Sequence, residues 1–270
     1  MKTLVLTGAA GHVGRALRPI LRAHWHLILV DRVDIEDVRP GETVVSCDIG
    51  DLQTLTKAFR GAVGVVHLAG CTTEEEIEEA IAGNVQGAWN VFEAARTCRI
   101  ERVVFASTHH VVGHYPRHRR FGANVLLRPD SRYGLTKAFG EQVGALFADR
   151  YGQRVLVIRI GYMGERPIDR RRLSIWISPR DLAQLVEIGL NHPTLRYAVV
   201  YGVSANSRSF FDDAEARRLG YVPQDSADMF EADVFSSVPP EDPELVGTHV
   251  IGGGMASDGY EGDIRRIDEW

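Results

Sequence analysis

Tyr133 and Lys137 stand four residues apart in Ser131-Arg-Tyr-Gly-Leu-Thr-Lys137. On a helix that spacing puts a phenol and an ammonium on one face. There the cation favours the phenolate and lowers a pKa that starts near about 10. A tyrosine tuned in this way becomes a usable base near neutral pH. By itself the pair is also what an ordinary solvated helix face carries, so its meaning depends on its surroundings.

Those surroundings begin at the N-terminus. Lys2-Thr-Leu-Val-Leu-Thr7 reads as a short strand, Gly8-Ala-Ala-Gly11-His-Val-Gly14 as a turn, and a helical pattern continues through Leu17 and Leu21. Strand, glycine turn and helix in that order suit a nucleotide diphosphate. Glycines let the backbone approach the pyrophosphate, and the helix N-terminus attracts its charge. The spacing is G-x-x-G-x-x-G rather than the commoner G-x-G-x-x-G, and the alternative is a plain glycine turn. The second strand, His26-Leu-Ile-Leu-Val-Asp31, ends in an acid 23 residues after Gly8. A carboxylate there suits the two ribose hydroxyls and repels a 2′-phosphate, which favours NAD over NADP. Arg32 follows directly and is the one residue here that would welcome that phosphate.

The elements that must position these residues follow from the apolar pattern. Strands are expected near 3–7, 26–31, 43–47, 63–68, 102–107 and 154–160, with helical segments between most of them. Near-continuous runs such as Val63-Gly-Val-Val-His-Leu68 and Arg102-Val-Val-Phe-Ala-Ser107 suit parallel strands covered on both faces. The fold class is therefore α/β, a Rossmann-type doubly wound parallel sheet. Pro19 falls inside the first helical pattern and is expected to kink or shorten it. Residues 1–162 are expected to form the NAD-binding core and 163–270 a small C-terminal substrate-covering region, with a late strand near 195–202 returning to the sheet. A helix is expected from Pro179 to Leu190 and a short one ending near Gly220.

The chain has 270 residues, 44% of them hydrophobic, which is ample for a packed core. Its net charge of −5, with acids and bases interspersed, argues against a nucleic-acid partner. No apolar run approaches the ~18 residues of a membrane span and no basic leader opens the chain, so a cytoplasmic location without membrane partners is expected. Cys47, Cys71 and Cys98 are scattered, without spacing for zinc or a disulfide framework. Cys47, at a strand end, reads as core. His110, His114 and His118 recur every four residues, but Gly113 and Pro116 interrupt any helix there, so no metal site is expected.

Taken together, these motifs resemble the extended short-chain dehydrogenase/reductase family, the NAD-dependent epimerases and dehydratases. The resemblance is carried by Thr7-Gly-Ala-Ala-Gly-His-Val-Gly14, His67-Leu-Ala-Gly70, Asn84 within Gly83-Asn-Val-Gln-Gly87, Ala106-Ser-Thr108 and Tyr133-Gly-Leu-Thr-Lys137. It implies that Thr108 holds the reacting oxygen, Tyr133 moves its proton, and Lys137 binds the nicotinamide ribose. Ser107 competes with Thr108, but side chains alternate along a strand and only one can face the site; the family pattern favours Thr108. The resemblance also implies cofactor contacts from Gly8, Ala10, Gly11, His12, Val13, Gly14, Asp31, Asp48, Ile49, Leu68, Ala69, Gly70, Asn84 and Lys137. Read from its own surroundings, Asp48 is equally a helix-cap or turn acid. Family members are often dimers or larger, so a homo-oligomer is implied.

Within that family the chain is similar to uronate dehydrogenases, which oxidise the anomeric carbon of D-glucuronate or D-galacturonate to an aldarolactone with NAD. Ala106-Ser-Thr-His-His110 with Gly113-His-Tyr-Pro116, Arg128-Pro-Asp-Ser-Arg-Tyr-Gly134, Val157-Ile-Arg-Ile-Gly161, Leu173-Ser-Ile-Trp-Ile-Ser178 and Tyr201-Gly-Val-Ser-Ala-Asn206 carry this likeness. A small-molecule sugar acid is the implied substrate. Arg171 matches the arginine that binds its carboxylate, as arginine can with two parallel hydrogen bonds, and Thr72 matches a small hydroxyl position. The run Arg170-Arg-Arg172 reads otherwise as a solvated basic loop. Two expected substrate positions depart from the pattern: His109 replaces an Asn that contacts substrate, and Tyr162 replaces a serine. Arg166, Arg170, Arg171 and Arg172 would also serve a phosphate, which keeps a glucose 6-phosphate dehydrogenase open, as does a nucleotide-sugar epimerase or dehydratase.

Overall fold

The apolar runs become parallel strands in a computed structural model that describes residues 1–72 and 77–269. They are β1 (Thr3–Thr7), β2 (His26–Asp31), β3 (Glu42–Ser46), β4 (Gly64–His67), β5 (Arg102–Thr108) and β6 (Arg154–Ile160). Two short strands, β7 (Tyr162–Met163) and β8 (Trp176–Ile177), pair with each other, and β9 (Tyr197–Gly202) joins β6. The main sheet runs β3-β2-β1-β4-β5-β6-β9 with every pairing parallel. Strand order reverses beside β1, and the C-terminal ends of β1 and β4 open a crevice there, the usual ligand position in doubly wound sheets.

Both faces of the sheet are covered. The helices are α1 (His12–Leu21), α2 (Leu52–Phe59), α3 (Ile77–Ala80), α4 (Gly87–Thr97), α5 (Arg132–Tyr151), α6 (Arg172–Ile175), α7 (Pro179–Asn191), α8 (Ala214–Arg218) and α9 (Glu231–Ser237), followed by the single-turn α10 (Val246–His249) and α11 (Gly254–Ser257). Alternate residues of each strand go to opposite cores. Leu4 and Leu6 join Val104, Leu156 and the α7 residues Leu182 and Leu185 on one side. Val5 joins Val103, Phe105, Val155 and the helical residues Phe92 and Phe147 on the other. That is why the strands read as continuous apolar runs: burying a Val or Leu side chain on either face contributes about 1.5–3 kcal/mol.

Pro19 lies in the last turn of α1, which runs to Leu21 and is not cut short by it. Cys47 is in the core, where burial pushes its thiol up to about 11. Among the described residues no helix is long and apolar enough to cross a membrane. Beyond β6, Val111, Ile175, Tyr201, Phe211 and Ile251 form a third cluster, which joins the C-terminal segment to the end of β5.

Candidate active site

The glycine turn divides its work among three residues. Gly8 has φ +71, and a Cβ there would lie 2.5 Å from the backbone nitrogen of Ala69. A Cβ at Gly14 would strike the Gly8 carbonyl and Ala9. Both are therefore glycine because backbone packs on backbone. Gly11 differs: its Cβ would meet only the Gly8 oxygen, at 3.2 Å, and it lines the open cleft. It caps α1 in extended conformation with no side-chain cap. The first N–H groups of α1, those of His12, Val13 and Gly14, therefore keep the anion-binding character of a helix N-terminus.

The cleft holds about 530 Å³ and is lined by Gly8, Ala10, Gly11, Asp31, Asp48, Ile49, Leu68, Ala69 and Gly70 among others. Asp31 Oδ2 accepts from Ala10 N at 2.9 Å, and its Oδ1 accepts from Val33 N at 3.0 Å. These bonds set the acid at the cleft wall. Arg32 is not left to greet a phosphate, since it pairs with Glu79 at 3.0 Å. Asp48 accepts from Gly50 N at 2.7 Å, so it is a turn acid and a cleft residue at once; the α2 cap is Asp51. Ile49 packs against Gly87. An uncapped helix end, a glycine with open space before it and a carboxylate at the far wall fit NAD.

Three residues expected at the cofactor have their side chains engaged elsewhere. His12 Nε2 lies 3.0 Å from the Met163 carbonyl, and Val13 packs against the core. Asn84, in the π-helical turn Ile81–Gln86, accepts from Cys71 N at 2.8 Å. Its amide donates to Cys71 O at 2.7 Å and Thr136 Oγ1 at 2.9 Å. Asn84 thus ties the loop after β4 to α5.

At the end of β5 the two hydroxyls part. Ser107 Oγ donates to Glu141 at 2.6 Å, while the Thr108 hydroxyl is bonded to that of Tyr133 and weakly caps His110 N at 3.3 Å. Ser131 caps α5 through Gly134 N at 3.0 Å and so starts the helix just before Tyr133. Lys137, one turn on, is buried with Nζ 4.8 Å from the Phe105 ring centre. A Cβ on Gly70 would come within 3.4 Å of that nitrogen, so Lys137 lies at the inner end of the cleft.

The electrostatics correct one expectation. Tyr133 is not lowered: burial pushes it up to about 12, against the pull of the Thr108 hydrogen bond. Burial also brings Lys137 down to about 8, opposed by the Glu141 carboxylate. Desolvation outweighs the Thr108 hydrogen bond at Tyr133 and the Glu141 carboxylate at Lys137.

The arginines separate as well. Arg166 pairs with Asp233 at 3.3 Å, Arg170 donates to Val238 O at 3.2 Å, and Arg172 pairs with Asp169 and lies over the Tyr162 ring. Arg171 alone of the four turns inward, 8% exposed, which removes it from a solvated loop. It donates to His109, which is also buried. The His109 ring lies 4.1 Å from that of His110, and His110 lies 6.1 Å from the Tyr133 ring. Thr108, His109, Tyr133 and Arg171 are thus connected, while Tyr162 is half-buried beneath Arg172 and Thr72 is exposed, next in sequence to the cleft residue Cys71.

His110 Nδ1 is bonded to Asp130 at 2.7 Å, His114 lies near Tyr260, and His118 lies 3.4 Å from Asp268. Among the described residues no group of three His, Cys, Asp or Glu side chains could hold a metal ion.

Sequence reasoning missed the buried pair Arg159–Glu141, at 2.9 Å. Its signal was an arginine inside the apolar strand Val155-Leu-Val-Ile-Arg159, which needs a buried partner. The C-terminal segment at Ile251 and Gly253, which lies against Arg171, had no local signal.

The chain matches the sequence profile of the NAD dependent epimerase/dehydratase family over residues 4–206. It is 38% identical over 249 residues to a uronate dehydrogenase of Pseudomonas putida, covering 90% of this chain and 92% of that protein. The crystal structure of a uronate dehydrogenase mutant from Agrobacterium tumefaciens complexed with NAD superposes with a TM-score of 0.91. It is 36% identical, with 95% of this chain and 97% of that one covered. A glucuronic acid dehydrogenase from Chromohalobacter salexigens gives a TM-score of 0.92 at 37% identity, with 94% and 96% covered.

Proposed function

The chain belongs to the NAD dependent epimerase/dehydratase family, and from that premise we propose that it is a uronate dehydrogenase. It is an NAD-dependent oxidoreductase that oxidises D-glucuronate or D-galacturonate at the anomeric carbon to the aldarolactone. The observation that carries the substrate class is Arg171, a buried guanidinium connected through His109 and His110 to Tyr133. A cation so enclosed needs an anion, and a planar carboxylate matches its fork of donors.

Bound NAD supplies the hydride acceptor. Thr108 holds the anomeric hydroxyl and Tyr133 takes its proton, as the hydride leaves the same carbon. Loss of hydride and proton from a ring hemiacetal leaves the lactone directly. Lys137 holds the nicotinamide ribose, and its ammonium favours the phenolate that Tyr133 must become. Gly11, His12, Val13 and Gly14 cradle the pyrophosphate through backbone, with the side chains of His12 and Val13 serving the fold, while Gly8 and Ala10 shape the turn beside the cofactor, their N–H groups held by Val30 O and Asp31. Asp31 takes the adenosine ribose, Asp48 and Ile49 the adenine, and Leu68, Ala69 and Gly70 the opposite wall. Asn84 acts by bracing Cys71 and Thr136. Thr72 and Tyr162 border the substrate.

Residues 1–162 form the NAD-binding core, and 163–270 cover the substrate except for α7 and β9, which pack on and extend the central sheet. The dispersal of Arg166, Arg170 and Arg172 onto other partners disfavours a sugar phosphate. A homo-oligomer is supported by Trp89 on α4 and by Leu135 and Phe139 on the adjoining α5, which are 37%, 58% and 41% exposed. Three free cysteines suit a cytoplasmic location in carbohydrate metabolism.

The test is NADH formation from D-glucuronate, D-galacturonate, glucose 6-phosphate and D-glucose offered in parallel with NAD. Turnover of the uronates with the others far slower is expected; preference for glucose 6-phosphate would overturn the substrate class.

A further inference from the structure

Arg171 Nη1 donates at 2.8 Å to Ile251 O and at 3.1 Å to His109 Nε2. That nitrogen has two hydrogens, and both are engaged. No other hydrogen bond of this guanidinium forms among the described residues, so the hydrogens of Nε and Nη2 remain for a ligand. Gly253, at φ +67, lies over the face of that guanidinium, where a Cβ would strike Nε, Cζ and Cδ. Glycine therefore lets the chain pack against Arg171 without displacing it.

His109 is held from both sides. Its Nδ1 lies 3.2 Å from the Ile160 carbonyl, and its Nε2 faces Arg171. A carbonyl only accepts and a guanidinium only donates, so the ring is neutral, with its proton on Nδ1 and a lone pair on Nε2. His110, its ring tilted against this one from the same turn, and Arg171 and Arg172 from the loop ahead of and the start of α6 all oppose a second proton. Burial does so most, holding this imidazole well below the usual histidine range.

We propose that His109 is a positioning residue which, as a neutral acceptor, fixes Arg171 Nη1 and so aims the remaining donors at the substrate carboxylate. This gives His109 a different place from a direct contact with a sugar hydroxyl, and it rests on the uronate reading above. Nη1 then has a fixed protein partner on each hydrogen, and the guanidinium plane is set before substrate arrives.

The test is steady-state oxidation of D-glucuronate by the NAD-saturated enzyme and its His109→Leu, His109→Asn, Arg171→Met and His109→Leu/Arg171→Met variants. His109→Leu should raise KM about 10-fold with kcat within about 3-fold. His109→Asn, whose carboxamide oxygen can accept, should stay within about 3-fold of wild type in both. In the Arg171→Met background His109→Leu should add nothing, because the two residues act as one unit. Independent, multiplying effects of the two substitutions, or a loss in His109→Leu confined to kcat, would overturn the proposal. If the wild type oxidises neither D-glucuronate nor D-galacturonate, the uronate reading fails first. Nitrogen NMR of the histidine-labelled holoenzyme then decides the proposal by itself. An unprotonated His109 Nε2 whose signal moves in Arg171→Met supports it, and a protonated Nε2 overturns it.

Discussion

Ser107 donates its hydroxyl to Glu141 at 2.6 Å on one face of β5, while the next residue, Thr108, meets Tyr133 on the other. Glu141 also binds Arg159, so the serine belongs to a buried ionic brace and the threonine to the site. Two adjacent hydroxyls that are nearly alike chemically therefore have separate consequences.

Thr108→Val should lower kcat about 100-fold and leave stability nearly unchanged. Ser107→Ala should do the opposite, with a cost of about 1 kcal/mol and little change in turnover. Steady-state rates and urea unfolding on both variants check this. Equal kinetic losses would place both hydroxyls in the site.

Tyr133→Phe should reduce turnover by about 1,000-fold while NAD still binds, because it removes only the proton acceptor. Fluorescence titration with NADH beside the rate assay separates the two effects. Near-normal turnover would exclude Tyr133 as the base.

The glycine turn allows fold and cofactor to be tested apart. Gly8→Ala meets φ +71 and the Ala69 backbone, and should cost roughly 2 kcal/mol or more. Gly11→Ala has an allowed φ of −70 and one tight contact, 3.2 Å to Gly8 O, and should cost about 1 kcal/mol. It should nevertheless weaken NAD about 10-fold or more by obstructing the pyrophosphate approach. Thermal or urea unfolding with a parallel NAD titration would show whether the two losses separate.

Cofactor choice should depend on Glu79 as well as Asp31. Asp31→Ala removes the carboxylate that repels a 2′-phosphate, and Glu79→Ala frees Arg32 to meet it. Since Arg32 and Glu79 are both exposed, Glu79→Ala alone should raise NADP use only about 3-fold. The double substitution should raise it well beyond either single one. The ratio of kcat/KM for NADP to that for NAD reads this directly; an unchanged ratio in the double variant would remove both from cofactor choice.

Stability should fall as the solution is acidified below about pH 6.5. Burial brings His67 from 6.5 down to about 3, where it shares a hydrogen with Thr7 Oγ1 at 2.8 Å. The unfolded chain takes up a proton below 6.5 that the folded chain refuses. The stability from a neutral His67 is thus full above that pH and is lost towards pH 3. Between pH 6.5 and pH 5 the loss from this one group is roughly 1.5 kcal/mol. His67→Gln cannot titrate there and should lose less over the same interval in chemical denaturation. An identical pH slope would show that other groups control it.

The strands were legible because each is a local run. The expected 3–7, 26–31 and 154–160 appear unchanged, and 43–47 differs from β3 by one residue at an edge where burial is partial. The late strand and the helix from Pro179 were read for the same reason, the helix with Ser178 as its cap. The arginine run was not legible in this way. Arg170, Arg171 and Arg172 are chemically identical neighbours, and the partners of the first two, Val238 and Ile251, lie far along the chain, while Arg172 pairs locally with Asp169. The sense of the Tyr133 shift was also misjudged from sequence, since spacing shows the cation but not the burial.

Periodicity and the ordered motifs were sufficient to determine the parallel sheet and the glycine turn with its acid at Asp31, and the family resemblance nominated Thr108, Tyr133 and Lys137 as candidates. These are features of short range, in which backbone geometry and side-chain alternation act within a few residues. Only the tertiary structure decided that Arg171 turns inward, that His109 presents a lone pair to it, and that Gly253 lets the C-terminal segment pack against its face. Those outcomes depend on residues distant in the chain meeting where water is excluded, so that each donor must find an acceptor and a charge must find a counterpart.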